Sequence, residues 1–335
     1  MISAIKTIRT DGTVPYDNLA LEEFLTLHAR EGECILFLWQ NRNTVVIGRN
    51  QNAWEECRVR TFRESGGYLA RRLSGGGAVY HDLGNLNFSF AVRKADYDTV
   101  RQSEVVLQAV RMLGIPAERT GRNDFEAEGR KFSGNAFYEQ KGCCCHHGTL
   151  MMQVDLDRLE QVLTVPSAKL RSRGVSSVRA RVVNLTEYVP GLTREDLETA
   201  LVRACEDVYG MPSEALEPER LDGEEIRRET ERLSSDAWIL GRRIPFTAAL
   251  EERFSWGGIR MELSVQGGNV EEAVCWSDAM DETFIAGIGR RLAGCPYDGD
   301  VLAARLVQDA ADAGPERKRM EEDIARMIRV QTMGG

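Results

Sequence analysis

The sequence predicts an α+β protein: a mixed β-sheet flanked by helices, followed by a small α+β domain. Three observations carry that prediction. Strand-like stretches come as hairpins ahead of the helical stretches that would cover them, which favours a mixed or antiparallel sheet over a doubly wound one. No internal repeat or low-complexity tract interrupts the chain. Beyond Pro245 a fresh strand pattern begins, after a polar Glu- and Arg-rich stretch from Glu214 to Ser235. The expected division is a first domain over 1–246 and an accessory domain over 250–335.

Each element has its own signal. Leu21, Phe24, Leu25 and His28 keep helical spacing, and the apolar runs 35–39 and 44–48 flank a turn at Asn41, Arg42 and Asn43, which reads as a hairpin. The run Tyr68 to Leu73 reads as a strand. After it, Leu86, Phe88, Phe90 and Val92 alternate with Asn87, Ser89 and Ala91, the period of a half-buried strand, so the glycines between would sit on a hairpin. Val106, Ala109, Val110 and Leu113 form a second helical stripe that Gly114 ends. A second hairpin turns at Glu128 and Gly129, and a strand is expected from Leu150 to Val154. Thr193 with Asp196 resembles a capping box ahead of an apolar stripe that stops at Gly210. In the last domain, Ile259, Met261, Leu263 and Val265 mark a strand before a Gly267, Gly268, Asn269 turn. Apolar-striped helices follow, ending with Met320, Ile324, Met327 and Ile328.

Composition narrows the function. A formal charge of −9 over 335 residues argues against nonspecific nucleic-acid binding. The first residues contain no apolar signal-like core, and no stretch approaches the roughly 18 apolar residues of a membrane span. A cytoplasmic protein with no membrane and no nucleic-acid partner is expected. Eight cysteines without regular spacing suit reduced thiols rather than a disulfide framework. Common nucleotide, protease and hydrolase motifs, such as G-x-x-x-x-G-K-[ST] and G-x-S-x-G, are absent.

The chemistry concentrates in two segments. In the first, Arg71 and Arg72 precede Ser74, Gly75, Gly76 and Gly77; successive glycines let a ligand approach the main chain, whose N–H groups can face an anion. Alternation puts one arginine towards that loop and makes the other structural. A plain turn joining two strands is the alternative. In the second, Asn123 and Asp124 precede a strand and Lys131 lies on the returning one, so a carboxylate and an ammonium can face one ligand. Asp124 suits Mg²⁺ or a sugar hydroxyl, or else an Asx turn. Lys131 suits a reacting carboxylate and phosphate, or else is an exposed strand lysine. Cys143, Cys144, Cys145, His146 and His147 invite a metal or a nucleophile, but adjacent residues diverge and zinc sites space their ligands. His147 either hydrogen-bonds a ligand or caps the next strand. Lys169, Arg171, Arg173, Arg179 and Arg181 form a basic patch for pyrophosphate or an acidic partner, or a solvated loop.

Through RRLSGGGAVYHDLGNLNFSF, GRNDFEAEGRKFSGNA, HHGTL and KLRSRGVSSVRARVVNL, in that order, the chain resembles the lipoate-protein ligase A family. NLALEEF, LFLWQNRNTVVIGRNQN and ERFSWGG extend the likeness over nearly the whole length. The resemblance implies a biotin/lipoate-ligase catalytic domain, similar to the core of class II aminoacyl-tRNA synthetases, with a mobile accessory domain. It implies a monomer that uses ATP and Mg²⁺ to convert lipoate to lipoyl-AMP. The acceptors would be lysines of lipoyl domains in 2-oxoacid dehydrogenase acyltransferase subunits and of glycine cleavage H protein. By the same likeness, Arg72, Gly77, Ala78, Val79, Tyr80, Asn123 and Asp124 hold the nucleotide, with Asp124 beside Mg²⁺. Ser74, Gly75, Gly76, His81, Asn85 and His147 hold lipoate or the intermediate, and Lys131 contacts both and is catalytic. Tyr138, where the family would have an arginine, and the triple cysteine depart from the pattern. The alternatives are an octanoyl or lipoyl transferase with a covalent acyl-enzyme, or a non-enzymatic lipoate- or metal-binding protein.

Overall fold

A computed structural model describes the chain except for residues 122, 165–180, 218–220, 308–313 and 333–335. It divides into two compact units. The first comprises Met1–Val46, Trp54–Arg72 and Ala78–Ile239; the second comprises Ile47–Ala53, Leu73–Gly77 and Leu240–Gly335.

Strands of the first unit run β1 (Ala4–Arg9), β2 (Glu33–Trp39), β3 (Thr44–Ile47), β4 (Tyr68–Arg71), β5 (Val79–His81), β6 (Asn85–Arg93), β7 (Ala117–Thr120), β8 (Asp124–Ala127), β9 (Arg130–Gln140), β10 (Cys143–Met151) and β11 (Ser213–Ala215). Its longer helices are α1 (Pro15–His28), α2 (Thr99–Met112), α3 (Arg194–Tyr209) and α4 (Gly223–Ser234). Among the described residues, an eight-stranded sheet has the order β11-β1-β2-β6-β10-β9-β8-β7. β1 pairs parallel with β2 and β11 and the pairs from β2 to β7 are antiparallel, so the sheet is mixed, as the sequence predicts.

Period-two alternation in β6 decides what each face buries. Leu86, Phe88, Phe90 and Val92 pack against α2 and α3; burying a side chain such as Phe88 contributes about 1.5–3 kcal/mol. The other face carries Phe37, Trp39 and Ala91 under α1 and Leu233 of α4, and it is also where Asn87 and Ser89 point. Covering on both sides makes these polar residues buried rather than solvated. Helix ends follow their sequence signals: Pro15 opens α1, Asp98 caps α2, and Thr193 with Asp196 forms the capping box of α3, which Gly210 ends at φ 73°.

Three local expectations are corrected. The runs at 35–39 and 44–48 do not pair as a hairpin. β2 lies between β1 and β6 in the large sheet, whereas β3 lies between β4 and β5 in a small one. Asn18 of α1 holds the chain where it crosses, donating from Nδ2 to the Gln40 carbonyl at 2.8 Å and to Asn41 Oδ1 at 3.1 Å. The strands on either side of the glycines, β4 and β6, likewise belong to different sheets rather than to one hairpin. The third correction concerns β10, which starts at Cys143 rather than Leu150, because the cysteines are buried as small apolar side chains.

The second unit is the small α+β fold the sequence predicts. β12 (Ala248–Phe254), β13 (Gly257–Gln266) and β14 (Asn269–Ser277) form an antiparallel sheet. The Gly267–Gly268 turn has φ 55° and 79°, values that glycine takes without strain. Helices α5 (Glu282–Leu292), α6 (Gly299–Val307) and α7 (Pro315–Thr332) bury Phe284, Ile288, Leu302, Ile324 and Ile328 against Ile259, Met261 and Leu263. No helix among the described residues is long and apolar enough to cross a membrane.

Candidate functional site

On the α1 side of the large sheet, buried polar groups form a chain. Trp39 Nε1 donates to Ser89 Oγ at 3.0 Å, and Ser89 Oγ donates to Glu22 Oε2 at 2.5 Å. His147 Nδ1 lies 2.9 and 2.8 Å from the two Glu22 oxygens. Register explains the meeting: His147 stands opposite Ser89 and Ala136, and Phe37 opposite Ser89, so their side chains share a face. Asn85 and Asn87 continue the chain, with Asn85 Nδ2 donating to Asn87 Oδ1 at 3.0 Å.

His81 and Arg72 lie in the same electrostatic neighbourhood. His81 Nδ1 is 3.2 Å from Asn41 Nδ2, while its buried Nε2 has no hydrogen-bond partner among the described residues. Burial, with Arg72 and His147 adding repulsion, pulls His81 down to about 3, so the ring is neutral. Arg72 donates to the Val46 carbonyl at 3.2 Å; burial lowers it to about 10 against the opposing pull of Glu22 and Glu56, and it remains a cation at neutral pH. Arg71 is the structural member of the pair, held by the carbonyls of Trp238 and Ile239. Val79 and Tyr80 lie on β5, where Tyr80 stands opposite Val45.

The β8–β9 hairpin turns through Glu128 at φ 50° and Gly129 at φ 75°, as the sequence predicts. It brings Lys131 Nζ to 2.7 Å from Asp124 Oδ1. The ammonium is also 2.9 Å from the place a Cβ on Gly134 would occupy. Gly134 N donates to Thr149 Oγ1 at 3.2 Å, two residues along β10 from His147. Lys131 therefore reaches the same sheet face as His147, through a gap kept open by a glycine. Asn123 packs beside this hairpin: its carbonyl accepts from Asn135 N at 2.8 Å, and its buried Oδ1 has no partner among the described residues.

In the second unit, Ser74, Gly75, Gly76 and Gly77 form a close-packed turn. The Ser74 carbonyl accepts from Arg49 N at 2.9 Å. A Cβ on Gly75 would lie 2.4 and 2.8 Å from the carbonyl oxygens of Ala279 and Met280, and one on Gly48 2.1 Å from the Gly76 carbonyl oxygen. Gly76, at φ 88°, donates its N–H to Ala279 O at 3.2 Å. In this conformation that amide faces a carbonyl of the chain rather than an anion. Burial and the neighbouring Asp281 lift Glu282 to about 7, against the opposing charge of Arg49.

Reasoning from sequence missed Glu22, Ser89 and Trp39. The available signal for Glu22 was its place beside the apolar stripe of Leu21, Phe24 and Leu25. The signal for Ser89 was its polar alternate position in a strand with partners on both sides. The three cysteines diverge as expected: Cys144 joins the α2 and α3 face while Cys145 joins His147. Of the basic patch, Lys169, Arg171, Arg173 and Arg179 lie outside the described residues.

A family model, lipoyl protein ligase A/B catalytic domain, matches residues 14–206, and a second, bacterial lipoate protein ligase C-terminus, matches residues 243–328. Among solved structures, the chain is similar to P. falciparum LipL1 in complex with lipoate at 25% identity, with 98% of this chain and 100% of that one covered and a TM-score of 0.84. It is also similar to a bipartite lipoate protein ligase from Thermoplasma acidophilum, described with its E2 lipoyl domain: 29% identity, 73% and 99% coverage, TM-score 0.62. A lipoate-protein ligase A bound with ATP matches at 28% identity, 72% and 99% coverage and a TM-score of 0.62.

Proposed function

The chain belongs to the lipoyl protein ligase A/B family, and from that premise we propose that it activates lipoate with ATP and attaches the lipoyl group to a lysine of lipoyl domains. A lipoate carboxylate oxygen attacks the α-phosphorus, pyrophosphate leaves, and the acceptor amine then attacks the acyl carbon of lipoyl-AMP and releases AMP. The single observation that carries this reading is the position of Lys131, whose ammonium reaches the His147 face of the sheet with Asp124 at 2.7 Å. A fixed cation there neutralises charge on the carboxylate and phosphate as their oxygens react, without reorganising solvent.

In this reading Arg72, Gly77, Ala78, Val79, Tyr80, Asn123 and Asp124 hold the nucleotide, and Ser74, Gly75, Gly76, His81, Asn85 and His147 hold lipoate and the adenylate. Lys131 serves both. The unpaired His81 Nε2 and Asn123 Oδ1 support ligand contacts, since buried polar atoms are normally satisfied. Asp124 is the carboxylate that would hold Mg²⁺; with substrate phosphates completing the shell, that ion supplies charge neutralisation. Acceptors are the lipoyl domains of 2-oxoacid dehydrogenase acyltransferase subunits and glycine cleavage H protein; the T. acidophilum ligase described with its E2 lipoyl domain supports that choice. An acyl-enzyme is less well supported, because burial pushes the Cys144 thiol up to about 11 and the Cys145 thiol well above its ordinary value.

The test combines purified chain, lipoate, ATP, Mg²⁺ and a lipoyl domain. Pyrophosphate release together with a lipoyl mass increase on the domain, each requiring ATP, is the expected result. Transfer that proceeds from an acyl donor without ATP would replace this reading with a transferase.

A further inference from the structure

Glu22, Cys145 and His147 meet as a set of which the ligation chemistry above uses only His147. Glu22 projects from α1, and Cys145 and His147 stand two residues apart on β10, hence on one face. One donor atom from each lies within 4.8 Å of the other two, and all three residues are buried. We propose that this triad binds a thiophilic divalent cation of the Zn²⁺ class.

The donor set selects the cation. Sulfur and imidazole nitrogen suit Zn²⁺, whereas Mg²⁺ demands an octahedral shell of oxygens. A thiolate, a carboxylate and a dication sum to zero charge, which suits a dry interior where an unpaired ion is costly. The cation supplies the counter-charge that a buried thiolate otherwise lacks. Binding releases the Cys145 thiol proton, and His147 ligates as neutral imidazole.

Outer hydrogen bonds already orient the ligands. Ser89 Oγ holds Glu22 Oε2 at 2.5 Å and is itself held by Trp39 Nε1 at 3.0 Å. Partners of this kind fix ligand geometry and affinity. Three protein ligands leave the fourth tetrahedral position to water or an incoming ligand. Because His147 is also assigned to lipoate, cation and substrate would exclude each other; that consequence, unlike the site itself, rests on the ligase reading.

The full chain, stripped with chelator and without lipoate or ATP, is titrated with Co²⁺. A thiolate-to-cobalt charge-transfer band saturating at one ion per chain and displaced by Zn²⁺ is the expected result. The band should vanish in Cys145→Ser, persist in Cys143→Ser and Cys144→Ser, and require at least tenfold more Co²⁺ in Glu22→Gln, with circular dichroism confirming that each variant is folded. No band in the wild-type chain, or one that survives Cys145→Ser, overturns the site. Zn²⁺ inhibition of lipoyl transfer, relieved in Cys145→Ser, is expected next; a band without inhibition refutes the shared use of His147 and leaves the cation site standing.

Discussion

Replacing Lys131 by alanine separates catalysis from folding. The ion pair with Asp124 is short, at 2.7 Å, yet the two side chains are 28% and 21% exposed, so solvent screens it. Pairs of this kind contribute about 0–1 kcal/mol, which for a unit of this size moves the melting temperature by at most about 2–4 °C. In the proposed reaction the same ammonium would face the charge that develops on the carboxylate and phosphate oxygens. Losing one such fixed donor typically costs about 10²–10³ in rate, equivalent to about 3–4 kcal/mol. Lipoate-dependent pyrophosphate release and thermal unfolding, measured on the same preparation, should show a large rate loss beside a small melting shift. Near-normal turnover, or unfolding with little specific loss of rate, would refute the assignment of Lys131.

Other expectations follow from particular contacts. Gly75→Ala places a Cβ 2.4 Å from the Ala279 carbonyl oxygen, a backbone atom that cannot swing aside; a loss of about 1–3 kcal/mol in denaturant unfolding is expected, and wild-type stability would count against the close packing. His81 and His146 are each pulled down to about 3, chiefly by burial. The unfolded chain takes up protons below about pH 6.5 that the folded chain refuses, so the stability they confer is present above that pH and lost as pH falls. By pH 5 each costs about 2 kcal/mol, and a melting temperature that stays flat from pH 7 to 5 would contradict this. Glu282 runs the opposite way. Lifted to about 7 from 4.5, it keeps a proton that the unfolded carboxyl has released, so its contribution declines as pH rises through that window. Glu282→Gln should flatten that part of the stability profile, and an unchanged slope would show that another group sets it.

Much of the fold could be read because local pattern and burial agree. The alternation in β6, the Thr193 cap and the Glu128 and Gly129 turn each depend on residues a few positions apart. What escaped depends on distant pairing. β1 and β11 join in parallel across more than 200 residues, with no turn chemistry between them to announce it. β2 and β3 carry hairpin-like signals, but their partners are other strands. β10 was hidden by its composition, since cysteine and histidine carry weak strand preference until both faces are covered. The site divides in the same way. Arg72, His81, Asn123, Asp124 and Lys131 stand within local motifs, whereas Glu22 meets His147 from 125 positions away, and only the fold makes that carboxylate a neighbour.

In the proposed reaction the acyl group is activated as an adenylate before any acceptor is present. A single-turnover reaction with α-phosphate-labelled ATP and lipoate, but no lipoyl domain, tests it directly. Labelled lipoyl-AMP retained at one per chain, with one pyrophosphate released, is the expected result. An unlabelled acyl group found on a cysteine of the enzyme, with ATP intact, would contradict it.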